Sequence, residues 1–194
     1  MGDKIKLLQE IIDKSNNIVF FDGAGTSTDS GIKDFRGKNG LYKEKTKYNP
    51  EYLLSANCFY NNTSLFYDYY KSNFNVLDKK PNIIHKYLTT LESKNKLKAI
   101  ITQNIDGLHK LSGSKNVIEI HGSILTNHCI KCNKKYDAKY IFESNGKSTK
   151  VNPVTTEEYL ELTGTKQAYR PRKSKLSKEN CLQLIEMADD LIKK

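Results

Sequence analysis

The run Ile18-Val19-Phe20-Phe21, followed at once by Gly23-Ala24-Gly25 and a string of small polar residues, constrains this chain more than any other feature. Four consecutive large apolar residues read as a buried strand. A strand that ends in Gly-x-Gly and a small-residue turn is how a chain brings bare backbone N–H groups to a diphosphate. Glycine permits the tight turn and the close approach that a Cβ would block. Taken alone, the three residues Gly23, Ala24 and Gly25 read better as an ordinary strand-to-helix turn.

The surrounding pattern predicts an α/β chain with a partial Rossmann-like parallel sheet and helices on both faces. Ile5 to Lys14 reads as a helix with Ile5, Leu8, Ile11 and Ile12 on one face. Strand one is Ile18 to Phe21, strand two Leu97 to Thr102, and strand three Val117 to Ile120. Strands separated by helical stretches imply parallel pairing through crossovers. Leu41 to Asn49 is polar and is expected to be mobile. Pro50 to Asn73, rich in Tyr, Phe and Leu, reads as helices whose aromatics belong to a core. Pro81 is expected to open a helix running through Ile84, Tyr87, Leu88 and Leu91.

Farther on, Leu125 to Tyr136 is hairpin-like and holds Cys129-Ile130-Lys131-Cys132. Residues 144–154 read as a linker. Thr155 with Glu158 forms a capping box that opens a short helix to Leu162. Gly164 to Lys178 is basic and irregular. Ser177 then caps a last helix with Leu184, Met187, Ala188 and Leu191 on its apolar stripe. The expected organisation is a ligand-binding region over 1–143, the linker, and a helical tail over 155–194.

At 194 residues the chain can form one domain with a core. Mean hydropathy is −0.65, and no apolar run approaches the length of a membrane span. The first residues lead into an amphipathic helix and not a signal peptide, so the expected compartment is the cytoplasm, and the sequons at Asn61 and Asn62 carry no meaning. The net charge of +10 is almost all lysine, with arginine only at Arg36, Arg170 and Arg172. Such charge could mark a nucleic-acid partner, for which Tyr169-Arg170-Pro171-Arg172-Lys173 is the sole local support. Without interleaved aromatic and basic stacking residues, solvated lysine-rich faces account for it better. Cys58, Cys129, Cys132 and Cys181 have no disulfide-framework spacing.

Gly23 through Arg36 resembles the cofactor-loop signature of sirtuins, the NAD-dependent protein deacylases: Gly-Ala-Gly-x-Ser-x-x-Ser-Gly-Ile-Pro-Asp-Phe-Arg. One position departs, with Lys33 where the family has proline. Thr102-Gln103-Asn104-Ile105-Asp106-Gly107-Leu108-His109 is similar to the family's nicotinamide-pocket motif. Val117-Ile118-Glu119-Ile120-His121-Gly122 is similar to the strand carrying its catalytic histidine. The resemblance runs from about Lys4 to about Glu143. It implies that Gly23, Ala24, Gly25, Ser27, Asp34, Phe35 and Arg36 serve NAD, with Phe35 and Arg36 closing over the nicotinamide end. Gln103, Asn104, Ile105, Asp106 and His109 would form the pocket for the nicotinamide and its ribose. His121, with Asn104 and Asp106, would be catalytic. Histidine ionises near neutral pH and suits a general base. His85 and His128 read as structural.

The implied function is an NAD-dependent protein lysine deacylase, passing an acyl group to ADP-ribose with release of nicotinamide. The implied partner is an acylated-lysine protein. Two expectations oppose a complete enzyme. Sirtuins hold a structural zinc with two Cys-x-x-Cys pairs, whereas Cys129 and Cys132 form the lone pair here, so the zinc site reads as incomplete. The family also completes its sheet with further strands that hold the adenosine half of NAD, and nothing of that kind is read after Glu143. The cofactor crevice would then lack a wall, and strand one would be an apolar edge prone to self-association unless the tail covers it. The alternative reading is therefore a catalytically inactive, truncated or fused sirtuin half acting as a binding module.

Overall fold

The computed structural model describes residues 2–129, 132–144 and 151–154. The chain begins with α1 (Gly2–Lys14) and β1 (Ile18–Asp22), followed by a 3₁₀ turn over Ala24–Ser30 and a second over Leu41–Lys43. Three helices, α2 (Pro50–Leu53), α3 (Ala56–Asn61) and α4 (Thr63–Phe74), precede α5 (Ile83–Ser93) and β2 (Leu97–Thr102). Then come α6 (Leu108–Leu111), β3 (Val117–Glu119), β4 (Ser123–Cys129), β5 (Lys135–Asp137), α7 (Ala138–Glu143) and β6 (Val151–Val154).

The three expected strands form one parallel sheet in the order β1-β2-β3. Asp22 pairs with Thr102, and Thr102 with Glu119, so all three strands end at one level. The segments that follow them emerge side by side at the carboxyl edge of the sheet, where open α/β sheets place their ligands. α5 covers one face through Leu88 and Leu91, which meet Leu97 and Ile100 of β2, with Ile12, Ile18, Phe20 and Val117 around them. Each such side chain contributes roughly 1.5–3 kcal/mol when fully buried.

A second core lies among α2–α4, β4 and α7: Leu53, Phe59, Phe66, Tyr70, Ile124 and Ile141 are buried there. The aromatics of 50–74 pack in or against this core, as their composition suggested, except Tyr60, which is 54% exposed. Tyr70 stacks on Phe66, Phe74 and Phe142 at centroid distances of 5.6, 5.4 and 5.7 Å. Burial pushes its phenol well above the usual tyrosine range.

Several local expectations need adjustment. The helix after Pro81 starts at Ile83, because Asn82 caps it: the Asn82 carboxamide oxygen accepts from the N–H of Ile84 at 2.9 Å. The 41–49 stretch is anchored at its start. Leu41 is 1% exposed, its N–H donates to Asp34 O at 2.8 Å, and Tyr42 N–H donates to Phe35 O at 3.0 Å. Gly40 permits this approach, since a Cβ there would strike the Phe35 backbone. Val151–Val154, read from the sequence as the end of a linker, runs antiparallel to β4. β4 and β5 pair antiparallel from Thr126–Asp137 to His128–Lys135, and Cys129 N–H donates to Lys134 O at 2.9 Å beyond the last pair. The helices expected beyond residue 154 lie outside the described residues.

α1 forms, but its apolar stripe is mostly uncovered among the described residues. Ile12 reaches the core, whereas Ile5, Leu8 and Ile11 are 66%, 57% and 54% exposed. Among those residues β1 pairs with β2 alone, and Phe21 is 48% exposed.

Candidate functional site

The site is built where the three strands end. Asp22 closes β1 and Gly23 follows in an extended conformation before the 3₁₀ turn. Gly25 is the informative glycine. Its backbone is outside the left-handed region, and a Cβ built on it would meet nothing within 4 Å. Neither conformational freedom nor packing therefore requires glycine at 25. An open cradle that a Cβ would begin to fill is what a closely approaching ligand requires.

Ser27, fully buried in that turn, links the two loops. Its hydroxyl donates to Asp106 Oδ2 at 2.7 Å and accepts from Asn104 Nδ2 at 3.2 Å. The Asn104 amide also donates to Gly23 O at 3.2 Å, and the Asn104 backbone N–H donates to the Thr102 hydroxyl at 3.0 Å. The second carboxylate oxygen of Asp106 accepts from Leu108 N–H at 2.9 Å, which fixes the start of α6. Gln103 and Asn104 are thus held beside the glycine turn, with Gln103 exposed and Asn104 buried. Ile105 is half-buried and packs on the second core.

His121 lies just past β3, exposed, with Gly122 at φ 76° turning the chain behind it. Its Nδ1 is 3.1 Å from Gln103 O. A carbonyl oxygen only accepts, so Nδ1 carries the hydrogen, and a neutral ring keeps its lone pair on Nε2. The ring is in the tautomer a general base needs.

Phe35 is half-buried against Tyr42 and Phe74, with centroids 5.3 and 6.3 Å away, and the Arg36 guanidinium lies 5.8 Å over Tyr42. Asp34 folds back on its own turn, accepting from Gly37 N–H at 3.1 Å. Lys33 pairs with Glu44 at 2.6 Å, and Glu44 lies 3.4 Å from the Tyr69 hydroxyl. Burial and the Glu44 carboxylate push that phenol up to about 12. His109 is 2% exposed, with Nε2 3.0 Å from Asp22 Oδ2. Sequence reasoning missed Asp22 and Asn82. An asparagine just before an apolar-periodic segment is a capping signal that was available. A carboxylate at the end of an apolar strand was the other.

A model of the Sir2 family matches residues 23–185. The chain belongs to the Sir2 family. An NAD-dependent protein deacetylase of Clostridium perfringens is 53% identical over 148 residues, 75% of this chain and 61% of the relative. One of Clostridium tetani is 47% identical over 179 residues, 87% of this chain and 72% of the relative. A solved Sir2 structure with deacetylated p53 peptide and 3′-O-acetyl ADP-ribose superposes with a TM-score of 0.67 at 36% identity, covering 78% of this chain and 64% of that one. A Sir2–p53 peptide–NAD⁺ structure gives 0.62 at 35% identity, covering 77% and 62%. The chain spans about three-fifths of the length of the Clostridium perfringens relative and of these two structures. The Rossmann-like fold of the Sir2 family is the fold described above.

The zinc of Sir2 proteins fits these residues poorly. Zinc structural sites are four-coordinate, and no group of three or more His, Cys, Asp or Glu poised for a metal occurs among the described residues. Cys129 ends β4 and Cys132 is exposed. Cys181 lies outside the described residues.

Proposed function

We propose that this chain is an NAD-dependent protein lysine deacylase. The carrying observation is the convergence of the glycine turn, the Asn104–Asp106 loop and His121 at one edge of the sheet, with His121 held through Nδ1. Bound NAD would supply a ribose carbon for the acyl oxygen to attack with nicotinamide as leaving group, and a ribose hydroxyl that takes the acyl group as the lysine amine departs. Gly23 to Ser27 would hold the diphosphate side, the Gly25 cradle admitting it closely. Asn104 and Asp106 would position the nicotinamide and its ribose, with Ser27 keeping both at fixed separation. Nε2 of His121 would take the proton from a ribose hydroxyl as the acyl oxygen is engaged.

The substrate we propose is an acylated lysine in an extended protein segment. The peptides bound in the related Sir2 structures support this class. We place the chain in the cytoplasm: the spacing of Cys58, Cys129, Cys132 and Cys181 is no disulfide framework, which fits a reducing compartment. No helix among the described residues is long and apolar enough to cross a membrane. The exposed stripe of α1 and Phe21 support self-association.

The test is turnover of an acetyl-lysine peptide with NAD, scored as nicotinamide release, beside NAD binding by calorimetry. His121→Ala should reduce turnover by about 10²–10⁴-fold, the scale of a lost general base, while NAD still binds. Full activity in that variant refutes the assignment.

A further inference from the structure

Asp22 takes no part in the reading above, yet it is buried where β1, α6 and α5 meet. Its side chain is 3% exposed and lies one residue before the glycine turn. Its Oδ2 is 3.0 Å from Nε2 of His109, whose side chain is 2% exposed. The His109 ring packs on that of His85, with centroids 4.7 Å apart and planes at 53°. His85 is fully buried, and its Nδ1 lies 2.9 Å from Asn82 Oδ1. The Asn82 amide donates to Thr26 O at 2.7 Å, inside the glycine turn. The path is closed: from the end of β1 through α6 and α5, and back to the turn that follows β1.

This ring of contacts is polar where an apolar core would serve stability better. Asp22 Oδ1, His109 Nδ1 and His85 Nε2 are buried without a hydrogen-bond partner of good geometry. Unsatisfied buried groups are rare in native proteins, and their persistence points to a role other than stability.

We propose that Asp22 is a positioning residue for the nicotinamide side of the pocket: it fixes the His109 ring, and through His85 and Asn82 it holds the glycine turn and the 103–108 loop at one separation. A carboxylate only accepts, so Nε2 of His109 must carry hydrogen, and the tautomer protonated at Nδ1 alone is excluded. His109 is the second residue of α6, whose start is also tied to Asp106. A ring free to turn would loosen the segment that presents Asn104 and Asp106 to Ser27.

The inference rests on the reading of these loops as the NAD site, so the test has one arm that needs no NAD. In histidine-labelled protein, the Nε2–H proton of His109 should resonate downfield, as a hydrogen-bonded ring proton does, in the parent and in Asp22→Asn, whose amide oxygen still accepts. That signature should vanish in Asp22→Ala and in Asp22→Ser, which is too short to reach the ring. The second arm is NAD affinity by calorimetry. Outer-shell partners that orient metal-ligating histidines are typically worth about 10–100-fold, and by analogy Asp22→Ala and Asp22→Ser should each raise Kd by at least tenfold. Asp22→Asn should stay within about threefold of the parent, as should Leu91→Ala, a core truncation outside the network that lowers the melting temperature. Retention of the Nε2–H signature in both short variants overturns the proposal. So does a Kd within threefold in those variants, or an equal loss of affinity in Leu91→Ala. A parent that binds no NAD overturns the site assignment instead, and the ring signature still decides whether Asp22 fixes His109.

Discussion

At the scale of single residues, the site depends on side chains that do two jobs. Ser27 accepts from Asn104 and donates to Asp106, so one hydroxyl sets the distance between two loops. Gly25 does the opposite and leaves space. Gly25→Val should fold normally, because its Cβ points into open space and its backbone is accessible to any residue. The same substitution should abolish the rise in melting temperature that NAD gives the parent. A variant whose melting temperature still climbs with NAD would remove Gly25 from the site. His85 gives a pH signature. Burial, then the neighbouring His109, holds its imidazole below its ordinary 6.5, against weaker pulls from Asp106 and Asp22. The unfolded chain therefore binds a proton at His85 that the folded chain resists, and stability falls as pH drops below 6.5. Asp22 adds to the loss only in stronger acid. Burial alone would raise it, but its contacts with His109, Thr102 and Thr26 together hold it below 3.8. Thermal melts from pH 7.5 to 5 should show the decline, and His85→Gln should flatten it. An unchanged slope in that variant would assign the decline elsewhere.

At the scale of elements, α5 couples stability to the site. Asn82 caps its first turn and donates to Thr26 O in the glycine turn. Loss of a cap costs about 1 kcal/mol, so Asn82→Ala should lower stability by that amount and also weaken NAD binding, whereas a pure cap would do only the first. Denaturant melts and calorimetry on the same samples separate the two. The Lys33–Glu44 pair occupies the place where the signature has proline. With Lys33 about half exposed, the pair contributes about 1 kcal/mol or less. Strand and helix positions were legible in the sequence because β-branched runs and apolar periodicity are local properties. The start of α5 was misjudged because two signals, Pro81 and Asn82, competed within two residues. The 41–49 stretch looked free because its anchors, Asp34 O and Phe35 O, are backbone atoms that leave no trace in composition.

At the scale of the whole molecule, the described residues leave one helix stripe and one strand edge uncovered. Ile5, Leu8 and Ile11 lie on one stripe of α1, and β1 pairs on one side alone among those residues, with Phe21 half exposed. Contiguous apolar surface of this kind and an unpaired strand edge both favour association. Sedimentation velocity should show mass rising with protein concentration, and replacing Ile5, Leu8 and Ile11 with serine should reduce it. A monomer at all concentrations would mean that the stripe is covered within the full chain. The three strands, the glycine turn, the 102–109 loop and the histidine that follows β3 are legible in the sequence, because each is written in consecutive residues. That Asp22 meets His109, that Ser27 joins Asn104 to Asp106, and that Gln103 O fixes the His121 tautomer emerge only from the folded chain. Those contacts span 87, 77, 79 and 18 residues. They come from the parallel register that ends Asp22, Thr102 and Glu119 at one level, and register is a property of paired strands that no single segment carries.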